Sequence, residues 1–521
     1  MIIHSPFLSL EPYPEVPLHH FLAQAALRHP DRAALIFVDG QQCSYQRLIQ
    51  ASRSLARMLQ DGGLQRGERV SLYSPNCPEY AVVAHGISMA GGTLTTLNPL
   101  YRAREVVYQL ADAGAKVLFY HPLVRPVVDE AQPELSGMTL VSLADVWSIV
   151  DQTPPEPYPV TIDPRQDIAA LFYSSGTTGL PKGVMLTHYN LVANICQACA
   201  CFGSTALARP LAFLPFFHIY GFTLILNTTL ALGGTCVITP AFDPKMVLEL
   251  IQQQQITNLP TVPAALLALV NHPGAEQYAS TSLRLVLCGA YAVPAEIERR
   301  AKQLFPGATF VEGYGLTEAA PLTNLNPLGY VRSGTFGVPV SDTLEQVVSL
   351  DTGLPAALEE PGELWVKGPQ VMKGYWQRPA ESAQALTSDG WLRTGDLVRA
   401  DADGYVTFVE RLKEMIKYRG YQIAPAELEA ILLEHPAVWD VTVVPMPDPE
   451  TGEAPKAFVQ RRPGVTVSAE ELMAHVELRV APYKKIRAVE FVDAIPKTAS
   501  GKTLRRHFIE LERQRAGQEE G

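Results

Sequence analysis

The sequence predicts an α/β protein with a large N-terminal domain of several subdomains, α/β sheets plus a small β subdomain, and a small α+β C-terminal domain. Three observations predict it. Short apolar runs alternate with amphipathic stretches of helical period through most of the chain. Near residue 345 that alternation gives way to short strands split by Gly, Pro and Asp. The chain has 521 residues, 47% of them hydrophobic and 18% charged. A single hydrophobic core rarely grows to that size, so the chain must divide.

Taken in order, "PLHHFLAQAALRHPDRAALIF" predicts an amphipathic helix followed by a strand. "QRLIQASRSLARMLQDGGL" has helical spacing and stops at Gly62-Gly63. "ERVSLYS", "KVLFYH" and "TLVSLAD" are strands between helices, and the alternation continues past "RLVLCGA" and "ATFVEGYG". "LEQVVSL", "GELWVKG" and "GYVTFVE" then predict a mostly antiparallel subdomain. After "VERLK" come a helix, two strands and a helix: "PAELEAILLEHP", "DVTVVPM", "KAFVQRR" and "AEELMAHVELRV". The boundary falls near Arg411 to Lys413, giving domains 1–410 and 411–521.

The net charge of -11 gives no support to a nucleic-acid partner. A polyanionic cofactor could still bind at a local basic site. The N-terminus lacks the pattern of a signal peptide, and "GQEEG" is not a peroxisomal address. "LAFLPFFHIYGFTLILNTTLALGGTCVI" is interrupted by His218, Asn227 and glycines, so we expect buried core and no stable membrane insertion. The expected location is cytoplasmic. Seven cysteines are too few and too odd a number for a disulfide framework. Cys196, Cys199 and Cys201 cluster in a helical stretch with no second pair at ligand spacing, which favours buried thiols over zinc.

The stretch "SSGTTGLPKG" carries the first chemistry. Ser174, Ser175, Gly176, Thr177, Thr178 and Gly179 offer backbone N–H groups and hydroxyls to one anion, and Lys182 adds a point charge. It follows the apolar strand "DIAALFY" but does not end as the common nucleotide loop does, because Pro181 precedes the lysine and Gly183 follows it. With its order and length, this segment resembles the signature of adenylate-forming enzymes: acyl- and aryl-CoA ligases, luciferases and peptide-synthetase adenylation domains. "VEGYGLTE", "WLRTGDL", "ERLKEMIKYRGYQIAPAELE" and "PKTASGK" resemble four further motifs of that superfamily, in the same order, across essentially the whole chain.

The resemblance implies ATP, Mg2+ and CoA as cofactor and co-substrates, and a small carboxylic acid as the remaining partner. It also implies that the C-terminal domain is mobile. Glu318 becomes the Mg2+ ligand, since a carboxylate beside a triphosphate needs a cation between them. Thr317 would bond a phosphate oxygen, and Gly313, Tyr314 and Gly315 would border adenine, although a tyrosine taken alone suits a core equally well. Asp396 in "TGD" predicts a short carboxylate on a tight turn, where the resemblance puts the ribose, with Arg411 as second contact and Gln422 also at the nucleotide. Lys502 would be the adenylation lysine that offsets repulsion between the acid and the α-phosphate.

Lys413 resembles the hinge, and Lys417, Arg419 and Gly420 the face that meets CoA in the second half-reaction. His218 is expected beside the acid carboxylate. Tyr220 would line the acid pocket, with Gly289, Ala290 and Tyr291 as its other wall. Glu410 stands where most relatives carry Asp, and Ala241 where plant members place a lysine, with Lys245 the nearest cation. The expected activity is AMP-forming acid:CoA ligation, with an acid of cinnamate or 4-coumarate type, or alternatively a medium- or long-chain fatty acid. More distant alternatives are a luciferase-like oxidative enzyme and a free-standing adenylation domain. The expected assembly is a monomer or homodimer.

Overall fold

The computed structural model describes residues 2–174, 181–203, 205–291, 293–412, 414–418, 421–448, 452–480, 482–498 and 503–519. The first large sheet runs in the order Gly374–Tyr375, Lys182–Thr187, Ile168–Ser174, Thr93–Leu97, Arg69–Tyr73, Ala115–Tyr120, Thr139–Ser142. From Ile168–Ser174 onward its neighbours are parallel, and the first two strands are antiparallel additions at one edge. The second sheet places Asn258–Thr261, Leu285–Cys288 and Thr309–Gly315 in parallel, followed by two short antiparallel strands. Both sheets share one core, in which Tyr80, Phe172, Phe216 and Phe222 are fully buried. In open α/β sheets ligands bind beyond the carboxyl ends of strands. Here those ends are Ser174, Cys288 and Gly315, each followed by a predicted motif.

The texture change near residue 345 corresponds to an antiparallel sheet of Ile2–His4, Leu344–Val348, Gly362–Lys367, Leu392–Ala400 and Val406–Arg411. Gly362–Lys367 alternates buried and half-buried residues, the period-2 pattern of a sheet with one covered face. The chain leaves this sheet at Arg411.

The C-terminal unit has its own core, including Ile416, Leu428, Leu432, Val443, Val459 and Leu472. Its long hairpin Val438–Asp448 and Gly452–Arg461 and its helices Pro425–Leu433 and Ala469–Glu477 match the expected pattern. Three short strands were not foreseen: Ile416–Tyr418, Tyr421–Ile423 and Ala488–Phe491. Each has three or four residues, too few to establish an alternation. A final helix, Arg505–Glu519, closes the chain.

The apolar segment that might have suggested a membrane span breaks into a short strand, a π-helical turn Tyr220–Asn227, a helix Thr228–Leu232 and a strand Cys236–Ile238. Among the described residues no helix is long and apolar enough to cross a membrane. All seven cysteines are free. Cys196, Cys199 and Cys201 share the helix His188–Cys201, and burial pushes their thiols up, to about 11 for Cys196 and about 12 for the other two. No metal-holding cluster of His, Cys, Asp and Glu occurs among the described residues.

Candidate active site

The strands Ile168–Ser174 and Lys182–Thr187 form an antiparallel pair in which Ser174 faces Lys182. These two residues mark the mouth of the predicted phosphate loop. Ser175, Gly176, Thr177, Thr178 and Gly179 themselves lie outside the described residues. Directly opposite the mouth stands Glu318, in a short turn, Thr317–Ala319, after the strand Thr309–Gly315. Its Oε1 accepts hydrogen bonds from Ser174 Oγ at 3.1 Å and from the Tyr375 hydroxyl at 3.0 Å. Its backbone carbonyl accepts from Met372 N–H at 2.8 Å, so segment 372–375 holds this residue at both ends. Burial first, and the Glu318 charge second, push the Tyr375 phenol far up, so it remains a hydrogen-bond donor. The Lys182 ammonium lies 5.4 Å from the centre of the Tyr375 ring, in reach of a cation–π contact. The donor set offered at Glu318 is a carboxylate flanked by two neutral hydroxyls, hard oxygen chemistry of the kind Mg2+ takes.

The ribose candidates form a second cluster. Asp396 lies within the strand Leu392–Ala400 and not on a turn as the sequence suggested. The reason is local: Gly395 takes φ +71°, its N–H bonds Glu363, and the Asp396 N–H bonds Thr394 Oγ1, so the strand continues through the bend. Arg411 is the cross-strand partner of Asp396, with Nε 3.3 Å from Oδ1. The Tyr314 hydroxyl donates to Oδ2 at 2.6 Å, and the Tyr314 ring stacks on Phe336 with centroids 4.5 Å apart. Burial works against the Arg411 charge, but Asp396, Glu414, Tyr314 and Glu318 outweigh it and hold the guanidinium protonated. Tyr314 stands near the end of the strand that leads into the Glu318 turn, so one segment joins the ribose cluster to Glu318.

The acid end is built differently. The turn before the π-helix folds His218 N–H onto Pro215 O, and Tyr220 N–H donates to His218 Nδ1 at 3.2 Å. Nδ1 is thus occupied as an acceptor. Gly221 is required: a Cβ there would stand 2.3 Å from the Pro215 carbonyl oxygen. Tyr220 is buried, and its hydroxyl donates to Leu287 O at 3.0 Å. A Cβ at Gly289 would meet both the Tyr220 ring and Gly313 O at 3.4 Å, so these three residues are close neighbours. Ala290 holds φ +80°, a strained value for a side chain with a Cβ, of the sort that collects at binding sites. Tyr291 follows half-buried. At Gly315 a Cβ would strike Pro321 O at 2.2 Å, so backbone approaches backbone there.

Other predicted residues are not gathered at this cleft. Lys417 is exposed, with its N–H donating to Glu453 at 2.7 Å, and it pairs in register with Gln422. Lys245 is on the surface, 3.7 Å from Glu249, and Ala241 is exposed. Lys413, Arg419, Gly420 and Lys502 lie outside the described residues. The flanks of Lys502 are described: Lys497 bridges Thr503, Leu504 N–H donates to Pro496 O, and Lys497 Nζ pairs with Asp440 at 2.6 Å. Asp440 lies in the strand Val438–Asp448, so this pair ties the base of the segment to the long hairpin of the C-terminal unit.

Sequence reasoning missed Tyr375, Phe336 and Glu312. Glu312 precedes Gly313, and its Oε2 accepts from Val293 N–H at 3.0 Å, tying the 289–293 segment to the nucleotide strand. "VEGYG" displayed that glutamate, but nothing in the spacing distinguished it from a surface carboxylate. Tyr375 and Phe336 are far from the motifs in sequence and reach them only through sheet pairing and ring stacking.

Residues 22–376 match the model of the AMP-binding enzyme family, and residues 427–502 that of the AMP-binding enzyme C-terminal domain. The chain is 37% identical over 544 residues to a long-chain-fatty-acid–CoA ligase of Bacillus subtilis (strain 168), covering 96% of this chain and 95% of the relative. It is 38% identical over 518 residues to a 4-coumarate–CoA ligase of Pinus taeda, covering 94% of each. The ATP-bound structure of MatB from Rhodopseudomonas palustris superposes with a TM-score of 0.87 at 27% identity, covering 95% of this chain and 100% of that one. The apo structure of MatB gives 0.77 at 28% identity, covering 95% and 99%.

Proposed function

This chain belongs to the AMP-binding enzyme family and is an acid–thiol ligase of the AMP-forming kind, and from that premise we propose that it activates a cinnamate-type acid in two half-reactions. The observation that carries the two-step reading is the convergence, beyond three strand ends, of the Ser174–Lys182 mouth, Glu318 with its two hydroxyl donors, and the Asp396–Tyr314–Arg411 cluster. That arrangement supports a nucleoside triphosphate with its phosphates at the mouth and its ribose at Asp396. Mg2+ at Glu318 would neutralise phosphate charge.

In the first half-reaction a carboxylate oxygen of the acid attacks the α-phosphorus. The bond to the bridging oxygen breaks, and pyrophosphate leaves with the electron pair. Lys182 and the loop residues 174–179 hold the departing phosphates, while Thr317 and Lys502 meet the charge that gathers on the α-phosphate. In the second, the CoA thiolate attacks the acyl carbonyl and AMP leaves. For this the C-terminal domain turns near Lys413 and brings the face of Lys417, Arg419 and Gly420 to the cleft. We place the domain boundary just after Arg411, where the chain leaves the third sheet. The better superposition on the ATP-bound than on the apo form of MatB supports assigning the described arrangement to the first half-reaction. The proposal puts the enzyme in the cytoplasm, where ATP and CoA are both available.

The aromatic preference rests on the wall at the acid end: Tyr220 is pinned by its hydroxyl, and its ring faces Gly289, which favours a flat substrate. A second reading has its own support. Leu287, which accepts the Tyr220 bond, also lines a small apolar crevice with Phe202, Pro210, Leu224 and Leu285, so apolar surface of the kind an aliphatic acid needs lies behind this wall. ATP–pyrophosphate exchange with 4-coumarate, cinnamate, octanoate and palmitate, run with and without CoA, separates the two. We expect the aromatic acids to give the highest exchange; a maximum with palmitate transfers the assignment to fatty acids.

A further inference from the structure

One arginine in the C-terminal unit collects carboxylates from both sides of the hinge. Arg505 opens the last helix, and its side chain is 16% exposed. Its Nη1 lies 2.5 Å from Glu414 Oε2, and its Nε and Nη2 grip both oxygens of Glu429 at 3.2 and 2.5 Å. Nη1 also reaches Glu410 Oε1 at 3.3 Å. Glu429 belongs to a helix of the C-terminal unit, and Glu414 to the segment that joins the two units. Glu410 belongs to the third sheet of the N-terminal domain.

Glu410 is 1% exposed and does more than meet Arg505. Its Oε1 accepts from Arg411 N–H at 2.9 Å, and its Oε2 accepts from Ala426 N–H at 2.8 Å. Ala426 lies in the first turn of the helix Pro425–Leu433, whose own cap residue, Ala424, has no side chain able to bond it. A carboxylate of the N-terminal domain therefore caps a helix of the other unit, where the helix dipole also favours negative charge. The three contacts use both oxygens at once. An aspartate, shorter by one methylene, could not span the same set, which gives the extra length at position 410 a structural purpose.

We propose that Glu410 and Arg505 form a latch across the hinge, and that as positioning residues they hold the C-terminal domain in the arrangement that serves adenylation. Arg505 stands two residues beyond Thr503, which bridges Lys497 at the base of the segment that carries Lys502. Holding Arg505 against Glu410 holds that base in place. The second half-reaction needs the C-terminal domain to turn, so the latch must open for it. Charge-assisted contacts inside a low-exposure cluster are strong enough to bias such an equilibrium and few enough to break. The proposal rests on the two-step reading above.

The test measures the half-reactions separately in the full-length enzyme. Arg505→Ala should lower ATP–pyrophosphate exchange by roughly ten- to a hundredfold, the worth of one or two charge-assisted hydrogen bonds. Transfer from the pre-formed adenylate of the best acid to CoA should stay within about twofold, since that step needs the latch open. Arg505→Lys should restore part of the exchange rate, and Glu410→Asp should fall between wild type and Arg505→Ala. Equal losses in both half-reactions overturn the latch. Should Arg505→Ala fail to fold, Glu410→Asp decides alone, by the same split. A readout independent of activity separates this proposal from the assignment of function: Glu410→Ala must speed amide exchange at Ala426 and broaden the solution scattering envelope. If wild type activates none of the four acids but Glu410→Ala makes both changes, the acid assignment is wrong and the latch stands. If neither change occurs, the latch is wrong.

Discussion

The nucleotide end and the acid end of this cleft are held by different forces. At the nucleotide end polar contacts hold the described carboxylates: Asp396 has Tyr314 and Arg411, and Glu318 has Ser174 and Tyr375. At the acid end the shape comes from packing, with Tyr220 laid against Gly289 and Gly221 pressed on Pro215 O. Charge chemistry admits few residue types at few positions. A cavity wall of given volume can be built from many combinations of side chains. Catalysis at one end is therefore constrained by chemistry, and selectivity at the other by shape.

The largest expected effect tests whether the polar end carries the first half-reaction alone. Lys502→Ala should lower acid-dependent pyrophosphate release by roughly 10²- to 10³-fold, since removing one contact to developing charge costs about 3–4 kcal/mol. Thioester formation from supplied acyl-adenylate should be spared. A matching loss in both steps would dissolve the division of labour between the loop 496–504 and the Lys417 face.

The same contrast explains what the sequence disclosed. Glu318, Asp396 and Arg411 stood out as candidates because each lies in a contiguous motif whose expected chemistry demands particular residues in order. The alternation of strands and helices was legible for the same reason: long periodic segments bury one face. What escaped notice was created by folding. Tyr375 reaches Glu318 because the edge strand Gly374–Tyr375 pairs with Lys182–Thr187. Phe336 reaches Tyr314 by stacking, and Arg505 gathers Glu410, Glu414 and Glu429 from three separate segments. Asp396 was misjudged as a turn residue because "TGD" is a common turn sequence, and the capture of the neighbouring Gly395 amide by Glu363, from another strand, is a tertiary contact.

Glu312 lies on the seam between the two ends and gives a pH test of how they are joined. Burial raises its carboxyl from 4.5 to about 7; Glu298 adds to the rise, while the amides of Val293 and Gly334 and the charge of Lys302 oppose it. Its Oε1 is buried without a partner among the described residues. A raised carboxyl keeps its proton in the folded state where the unfolded chain has released it. Its contribution to stability is thus complete below pH 4.5 and is lost as pH rises to about 7, amounting to about 3 kcal/mol at most. Thermal melts of wild type and Glu312→Gln between pH 4.5 and 8 should therefore diverge, the wild type losing stability relative to the variant as pH rises. Parallel curves would mean that the seam is held without a buried proton.

A pair of hydroxyl deletions makes the finest comparison. Tyr314→Phe removes a donor to the Asp396 carboxylate, a charged acceptor, and should cost about 1.5–3 kcal/mol of nucleotide binding. Tyr220→Phe removes a donor to a neutral backbone carbonyl and should cost about 1 kcal/mol, or roughly a fivefold change. The first should raise KM for ATP and leave KM for the acid alone; the second should do the reverse. The reason is where each hydroxyl spends its bond. Tyr314 steadies a carboxylate that is proposed to meet the nucleotide, whereas Tyr220 only fixes the angle of its own ring. If Tyr220→Phe instead shifts preference toward octanoate or palmitate, the pin on Leu287 is what closes the apolar crevice to chains, and selectivity at the acid end reduces to one hydrogen bond.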